Sequence, residues 1–204
     1  LELNDLLELA HVEFQARVAA VSSLDWERPT PCTDWTVHNI VGHVAVGDAM
    51  VRPWLSGKDG SDVRELASGI DSDPLAACRR WASDARAAFD EPGALDGVVA
   101  HPIVGEMPAL QLLVFRIVDN AVHAWDVAIA TGQDDQLDPQ LVASLYELVE
   151  PFAEMIESSG QFDPREAPEN ATAQEKLLAL FGRDPDWAPA ASAHAPKPAT
   201  TEET

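Results

Sequence analysis

PALQLLVFRIVDNAVHAWDVAIATG, residues 108–132, decides the fold. No glycine or proline interrupts its interior, so the spacing predicts one helix of about six to seven turns. Wound at about 100° per residue, it gathers Leu113, Val114, Ile117, Val118, Ala121, Trp125, Ala128 and Ile129 on one arc. The opposite arc mixes Arg116, Asp119, Asn120, His123 and Asp126 with Leu112, Phe115, Val122 and Val127. A solvated face would be rich in Lys and Glu, and this stretch has neither. The helix is therefore expected to be buried on most sides, with a short polar stripe turned inward. Ionisable side chains held there need partners, because an unpaired buried charge is costly. Asp119 and His123 are four residues apart and share a face, an arrangement that can share a metal ion.

Working outward, Leu3, Leu6, Leu7, Ala10, Phe14, Val18 and Val21 recur at helical spacing over residues 3–21. SSLDWERPTPCTDW, residues 22–35, reads as a loop. Thr36 is then placed to cap a second helix, with Trp35 and Ile40 set for a hydrophobic staple. Pro53 or Ser56-Gly57 is expected to end it. On this helix His43 shares a face with Asn39, Ile40, Gly47 and Met50, and Gly47 leaves space one turn above the imidazole. Residues 56–72 read as a loop. Asp73-Pro74 starts a third helix that Pro92-Gly93 follows, and residues 97–108 alternate loosely, as a short hairpin would. Beyond Gly132, Asp138-Pro139 opens a helix through Leu141, Leu145, Leu148, Phe152 and Met155, with a kink expected at Pro151. A capping box at Thr172 and Glu175 leads into a short helix over residues 176–181, stopped by Gly182. The expected fold class is all-α: a four-helix bundle spanning residues 1–187, with long connections and additional C-terminal helices. Residues 188–204, rich in Pro and Ala, read as a flexible tail. Bundles of this kind build metal sites from side chains on facing helices.

Composition narrows the partners. With 204 residues, 46% of them hydrophobic, the chain can bury one ordinary core. Thirteen basic residues against 35 acidic ones give a formal charge of -22, which argues against nucleic acid or an anionic membrane surface as a partner. A small-molecule substrate is the expected partner, and a homodimer through a helix face is compatible with the pattern. Cys32 and Cys78 are far apart and form no metal-binding spacing, so free thiols and a cytoplasmic setting are expected.

Three motifs carry a family resemblance. PCTDWTVHNIVGHV, with its Trp-Thr cap and a His seven residues after the cap, resembles the second helix of DinB-like proteins. In particular it resembles the N-terminal metal-binding domain of mycothiol-dependent maleylpyruvate isomerase. RIVDNAVHAWDVAIATGQ resembles that family's metal helix, and LLALFGRDPDW resembles the end of its stand-alone, single-domain branch. The resemblance implies a DinB-like bundle that binds a divalent metal, usually zinc, through His43, Asp119 and His123, with mycothiol as a cosubstrate. The isomerase carries Glu where this chain has Asp119. It also has a second domain for which 204 residues leave no room, so the expectation stops at the thiol chemistry and does not extend to maleylpyruvate.

Two imidazoles and one carboxylate leave open positions on a metal, as a catalytic site requires. Such a site can hold a small thiol as the nucleophile of a transferase or isomerase. It can equally generate hydroxide for a hydrolase or lyase, or the bundle can bind a metal or small ligand without catalysis. Arg116, one turn before Asp119, could hold a substrate carboxylate or pair with Asp119. Asp126 could accept from the second ring nitrogen of an imidazole. His101, in the expected hairpin, is a candidate general acid or base. His11, on a solvated face, His38, beside a helix start, and His194, in the tail, receive no role. The tryptophans are expected in packing, with Trp54 bordering the pocket.

Overall fold

The computed structural model describes residues 1–58, 70, 72–102 and 105–188. Its long helices are α1 (Leu3–Ala19), α2 (Val37–Leu55), α3 (Pro74–Phe89) and α4 (Ala109–Thr131), with strands β1 (Val98–His101) and β2 (Gly105–Pro108) between the last two. Shorter helices follow: α5 (Pro139–Val149), a 3-10 turn (Glu150–Phe152), α6 (Ala153–Ser158) and α7 (Ala173–Leu180). The described residues are thus mostly helical with one small antiparallel hairpin, in which Val99 faces Met107 and His101 faces Gly105. Most of the loop expected over residues 56–72, and all of the expected tail after residue 188, including His194, lie outside the described residues. No helix among the described residues is long and apolar enough to cross a membrane.

Local chemistry sets the boundaries. The Thr36 hydroxyl accepts from the Asn39 N–H and the Asn39 side chain accepts from the Thr36 N–H, a reciprocal cap that starts α2. Asp73 and Asp138 cap α3 and α5, each followed by a proline at the first helical position. Gly132, at φ +71°, closes α4 in the left-handed conformation. α2 ends at the second of its two expected stops, Ser56-Gly57, and two other boundaries differ from the sequence expectation. Pro53 does not stop α2, which runs to Leu55 before the Ser56, Gly57 and Lys58 N–H groups turn back onto the carbonyls of its last turn. Pro151 does more than kink the helix after α4, because a 3-10 turn separates α5 from α6. The last helix begins at Ala173, directly after its Thr172 cap.

The packing places α4 centrally. It lies against α1 and α2, while α3 packs on both of those helices and α5 holds α7. The apolar interior is split into two clusters. One joins Leu7, Met50, Trp54, Leu112, Leu113 and Ile117; the other joins Phe14, Ile40, Val44, Trp125 and Val127. Each of α1, α2 and α4 contributes to both. On α1 and α2 a buried polar residue separates the two contributions, His11 and Asp48 respectively, and Arg116 and Asn120, buried within the α4 stretch that feeds the first cluster, reach across to Asp48. A polar layer therefore crosses the bundle between two apolar ones, and the candidate site borders it.

Candidate metal centre

The polar stripe of α4 meets one histidine of α2. His43 Nε2 lies 3.2 Å from Asp119 Oδ1, and His123 Nε2 lies 3.5 Å from that same oxygen. One ligand atom from each of the three residues falls within 4.8 Å of the others. Donors bound to zinc at about 2.0–2.1 Å in a tetrahedron stand roughly 3.3 Å apart, and the two observed separations bracket that edge. Both rings thus turn a nitrogen toward one carboxylate oxygen, a donor set suited to a divalent ion. The side chain of His43 is 39% exposed against 8% for His123, so the cluster opens to solvent on the α2 side. Trp35, at the loop end before α2, covers both rings, its centroid 4.8 Å from His43 and 6.0 Å from His123.

Asp119 is held from behind. Arg116 Nη1 donates to Asp119 Oδ2 at 2.9 Å, which leaves Oδ1 for the histidines. The guanidinium also donates through Nε to Asp48 Oδ1 at 3.0 Å and through Nη2 to the Val44 carbonyl at 3.0 Å. Asn120 Nδ2 donates to Asp48 Oδ1, and His11 Nε2 lies 3.2 Å from Asp48 Oδ2, close but off the line of a hydrogen bond. Burial alone would raise the pKa of Asp119. Arg116 foremost, then His123 and His43, outweigh it and hold the carboxyl well below the usual range. Asp48 is likewise lowered against burial by Arg116 and His11, and burial would lower Arg116 itself but its two carboxylates keep it raised and charged.

The remaining polar side chains of the site have partners within the protein. Arg116, buried and engaged with both Asp48 and Asp119, belongs to the protein's own ion-pair network. The space beside Gly47 is filled by its guanidinium: a Cβ there would lie 2.2 Å from Arg116 Nη1. His11 corrects the expectation of a solvated position, since it is 3% exposed and sits against Asp48. His101 does not join the three-residue cluster. It packs on Trp54 at 4.7 Å and on Phe115 at 5.9 Å, one turn from Asp119. Burial, then Arg116, lowers its pKa, partly offset by Asp119. Trp54 is buried with the core and borders His101, and His38 lies edge-on to Trp26 at the start of α2.

Comparison with known proteins converges on the same stretch. The profile described as the mycothiol maleylpyruvate isomerase N-terminal domain matches residues 7–128, which contain His43, Asp119 and His123. The chain belongs to that family. Two uncharacterised proteins of Mycobacterium tuberculosis, Rv0738 of strain H37Rv and MT0763 of strain CDC 1551, are each 31% identical to it over 176 residues, covering 83% of this chain and 91% of theirs. No solved structure matches it.

Within the matched span α4 carries a further polar pair, and a residue beyond that span completes it. His123 Nδ1 lies 2.8 Å from Asp126 Oδ2, as outer support of an imidazole requires. Asp126 in turn is gripped by Arg183, which the sequence reading did not single out. Burial would raise Asp126, but the His123 hydrogen bond and Arg183 lower it. Near this pair lies the free thiol of Cys32, whose pKa burial raises and Arg183 partly restores.

Proposed function

We propose that the protein is a divalent-metal enzyme, with zinc held by His43, Asp119 and His123, that acts on a small molecule using a low-molecular-weight thiol of the mycothiol class. The convergence of two imidazole nitrogens on one oxygen of Asp119, at 3.2 and 3.5 Å, carries this reading. Family membership supports the thiol, and a DinB-like bundle is the fold that goes with it. Zinc bound to three protein donors supplies Lewis acidity that keeps a thiol deprotonated as a nucleophile.

Charge favours the same outcome. With the imidazoles set aside, three carboxylates (buried Asp48 and Asp126, half-buried Asp119) face two guanidiniums (buried Arg116, half-buried Arg183). That balance leaves one negative charge, which a dication overcompensates, so the loaded site attracts an anion. The chain's residues divide the work. Arg116 keeps Asp119 Oδ1 turned to the site, Asp126 keeps His123 Nε2 turned inward, and Trp35 shields both rings from bulk water on one side. His101, whose pKa is lowered by burial and by Arg116, is the candidate to take or return a proton on the substrate. A thiol cosubstrate goes with a compartment that keeps thiols reduced, and the cytoplasm is the setting this reading proposes.

The test is metal analysis of purified protein beside His43→Ala, Asp119→Ala and His123→Ala, with circular dichroism as the fold control. The wild type is expected to carry zinc near one equivalent and each variant well below it. Full metal content in all three variants would refute the site. Turnover of an electrophilic substrate that is indifferent to added thiol would move the activity to hydrolysis or elimination.

A further inference from the structure

The support of His123 comes from two distant parts of the chain. Asp126, 0% exposed, faces His123 Nδ1 from the next turn of α4. Arg183 reaches the same carboxylate from 57 residues downstream, with Nε donating to Oδ1 at 3.1 Å and Nη2 donating to Oδ2 at 2.7 Å. A two-point fork fixes the plane of a carboxylate as well as its position. The third arm of the guanidinium, Nη1, donates to the Phe181 carbonyl at 2.8 Å, so the fork is tied to its own backbone.

The delivery of Arg183 is itself built into the fold. Leu177 and Leu178 seat α7 in the two apolar clusters, one residue in each. The helix then stops at Gly182, φ +75°, where the Gly182 and Arg183 N–H groups turn back onto the Ala179 and Leu178 carbonyls. A Cβ at Gly182 would lie 2.7 Å from the Asp163 carbonyl oxygen, so the turn has room for glycine alone. This turn throws the Arg183 side chain across α4 onto Asp126.

Resting on the metal-centre reading above, we propose that Arg183 is a positioning residue for the centre. It holds the Asp126 carboxylate in one plane, and Asp126 so held keeps the His123 ring with Nδ1 toward itself and Nε2 toward Asp119 and His43. Arg183 makes its hydrogen bonds to Asp126 and the Phe181 carbonyl rather than to the three ligands, so it orients His123 through Asp126. Without the fork the carboxylate is free to rotate about its last bond, and a flipped His123 ring would turn carbon in place of nitrogen toward the site. A merely structural Arg183, pinning the C-terminal segment, would affect stability and leave the ring orientation unchanged.

The experiment reads both the ring and the metal. In metal-free protein, nitrogen-detected NMR of the imidazoles, with His123 assigned by its loss in His123→Ala, is expected to show one fixed Nδ1–H form in the wild type. Arg183→Lys keeps most of that signature and Arg183→Ala averages it. By chelator competition, Arg183→Ala weakens zinc binding about tenfold, the low end of the effect of losing outer support on a metal ligand. Arg183→Lys recovers most of the loss, and in an Asp126→Asn background Arg183→Ala adds nothing. Wild-type ring signals and zinc affinity in Arg183→Ala would overturn the proposal, as would an equal further loss in the Asp126→Asn background. A wild type that binds no zinc yet shows the Arg183-dependent ring signature would sink the metal reading and leave the positioning role standing.

Discussion

Replacing Gly47 by Ala sets two effects of opposite sign against each other. In a helix interior, Gly→Ala stabilises by roughly 0.5–1 kcal/mol through backbone entropy. At Gly47 the new Cβ would lie 2.2 Å from Arg116 Nη1, 2.7 Å from its Cζ and 2.9 Å from Nη2. To reach ordinary contact the guanidinium must withdraw by about 1 Å or more, since nonbonded heavy atoms settle near 3.5 Å. It has nowhere to go without leaving Asp48, Asp119 or the Val44 carbonyl, all now at 2.9–3.0 Å. Losing two charge-assisted hydrogen bonds at about 1.5–3 kcal/mol each outweighs the entropy gain, so a net destabilisation of roughly 2–5 kcal/mol is expected. Gly42, on the same helix with nothing within 4 Å of its would-be Cβ, is the internal control. Urea unfolding should show Gly42→Ala slightly above wild type and Gly47→Ala far below it, with the midpoint and not the slope responsible. A Gly47→Ala protein as stable as Gly42→Ala would refute the claim that Arg116 is locked in place.

Two further outcomes follow from the same network and from the caps. Asp48 has a native pKa below its ordinary value, because Arg116 and His11 outweigh the burial that would raise it. Its contribution is fully present above the unfolded value of about 3.9 and is lost as pH falls through the lower native value. Thermal melts against pH should therefore show Asp48→Asn about 3–5 kcal/mol less stable at neutral pH, with the gap narrowing below about pH 4. A constant gap across that range would contradict the pairing. Thr36→Ala removes the hydroxyl that accepts the Asn39 N–H and should cost about 1 kcal/mol in urea unfolding, with an unchanged helix content.

The parts of this molecule that local chemistry governs were legible in the chain. Thr36, Asp73, Asp138 and Thr172 announce helix starts through their own side chains, and all four cap as expected. The central helix could be read because its polar residues sit in an otherwise apolar ring. His43 joins Asp119 and His123 as the resemblance implied. His11 was misplaced although a signal existed: Leu7, His11, Phe14 and Val18 run down one stripe, and the imidazole occupies a core position on it. Asp48 sits the same way between Val44 and Val51. A polar residue at a stripe position on each of two helices is the mark of a buried pair, but pairing them requires the vertical offset of α1 against α2, which neither stripe contains. Arg183 gives no such mark. Its partner is 57 residues away, and only the turn at Gly182 aims it.

The polar layer between the two apolar clusters also acts as a register lock. Apolar stripes tolerate sliding, since one leucine resembles the next, and a helix displaced by one turn of about 5.4 Å finds similar surface. Here such a slip of α4 along α2 would carry the Arg116 charge away from Asp48 and Val44 into the neighbourhood of Met50 and Val51, leaving ions unpaired in hydrocarbon on both sides. The buried pairing therefore favours one height of α4 on α2, the height at which His43 arrives level with Asp119.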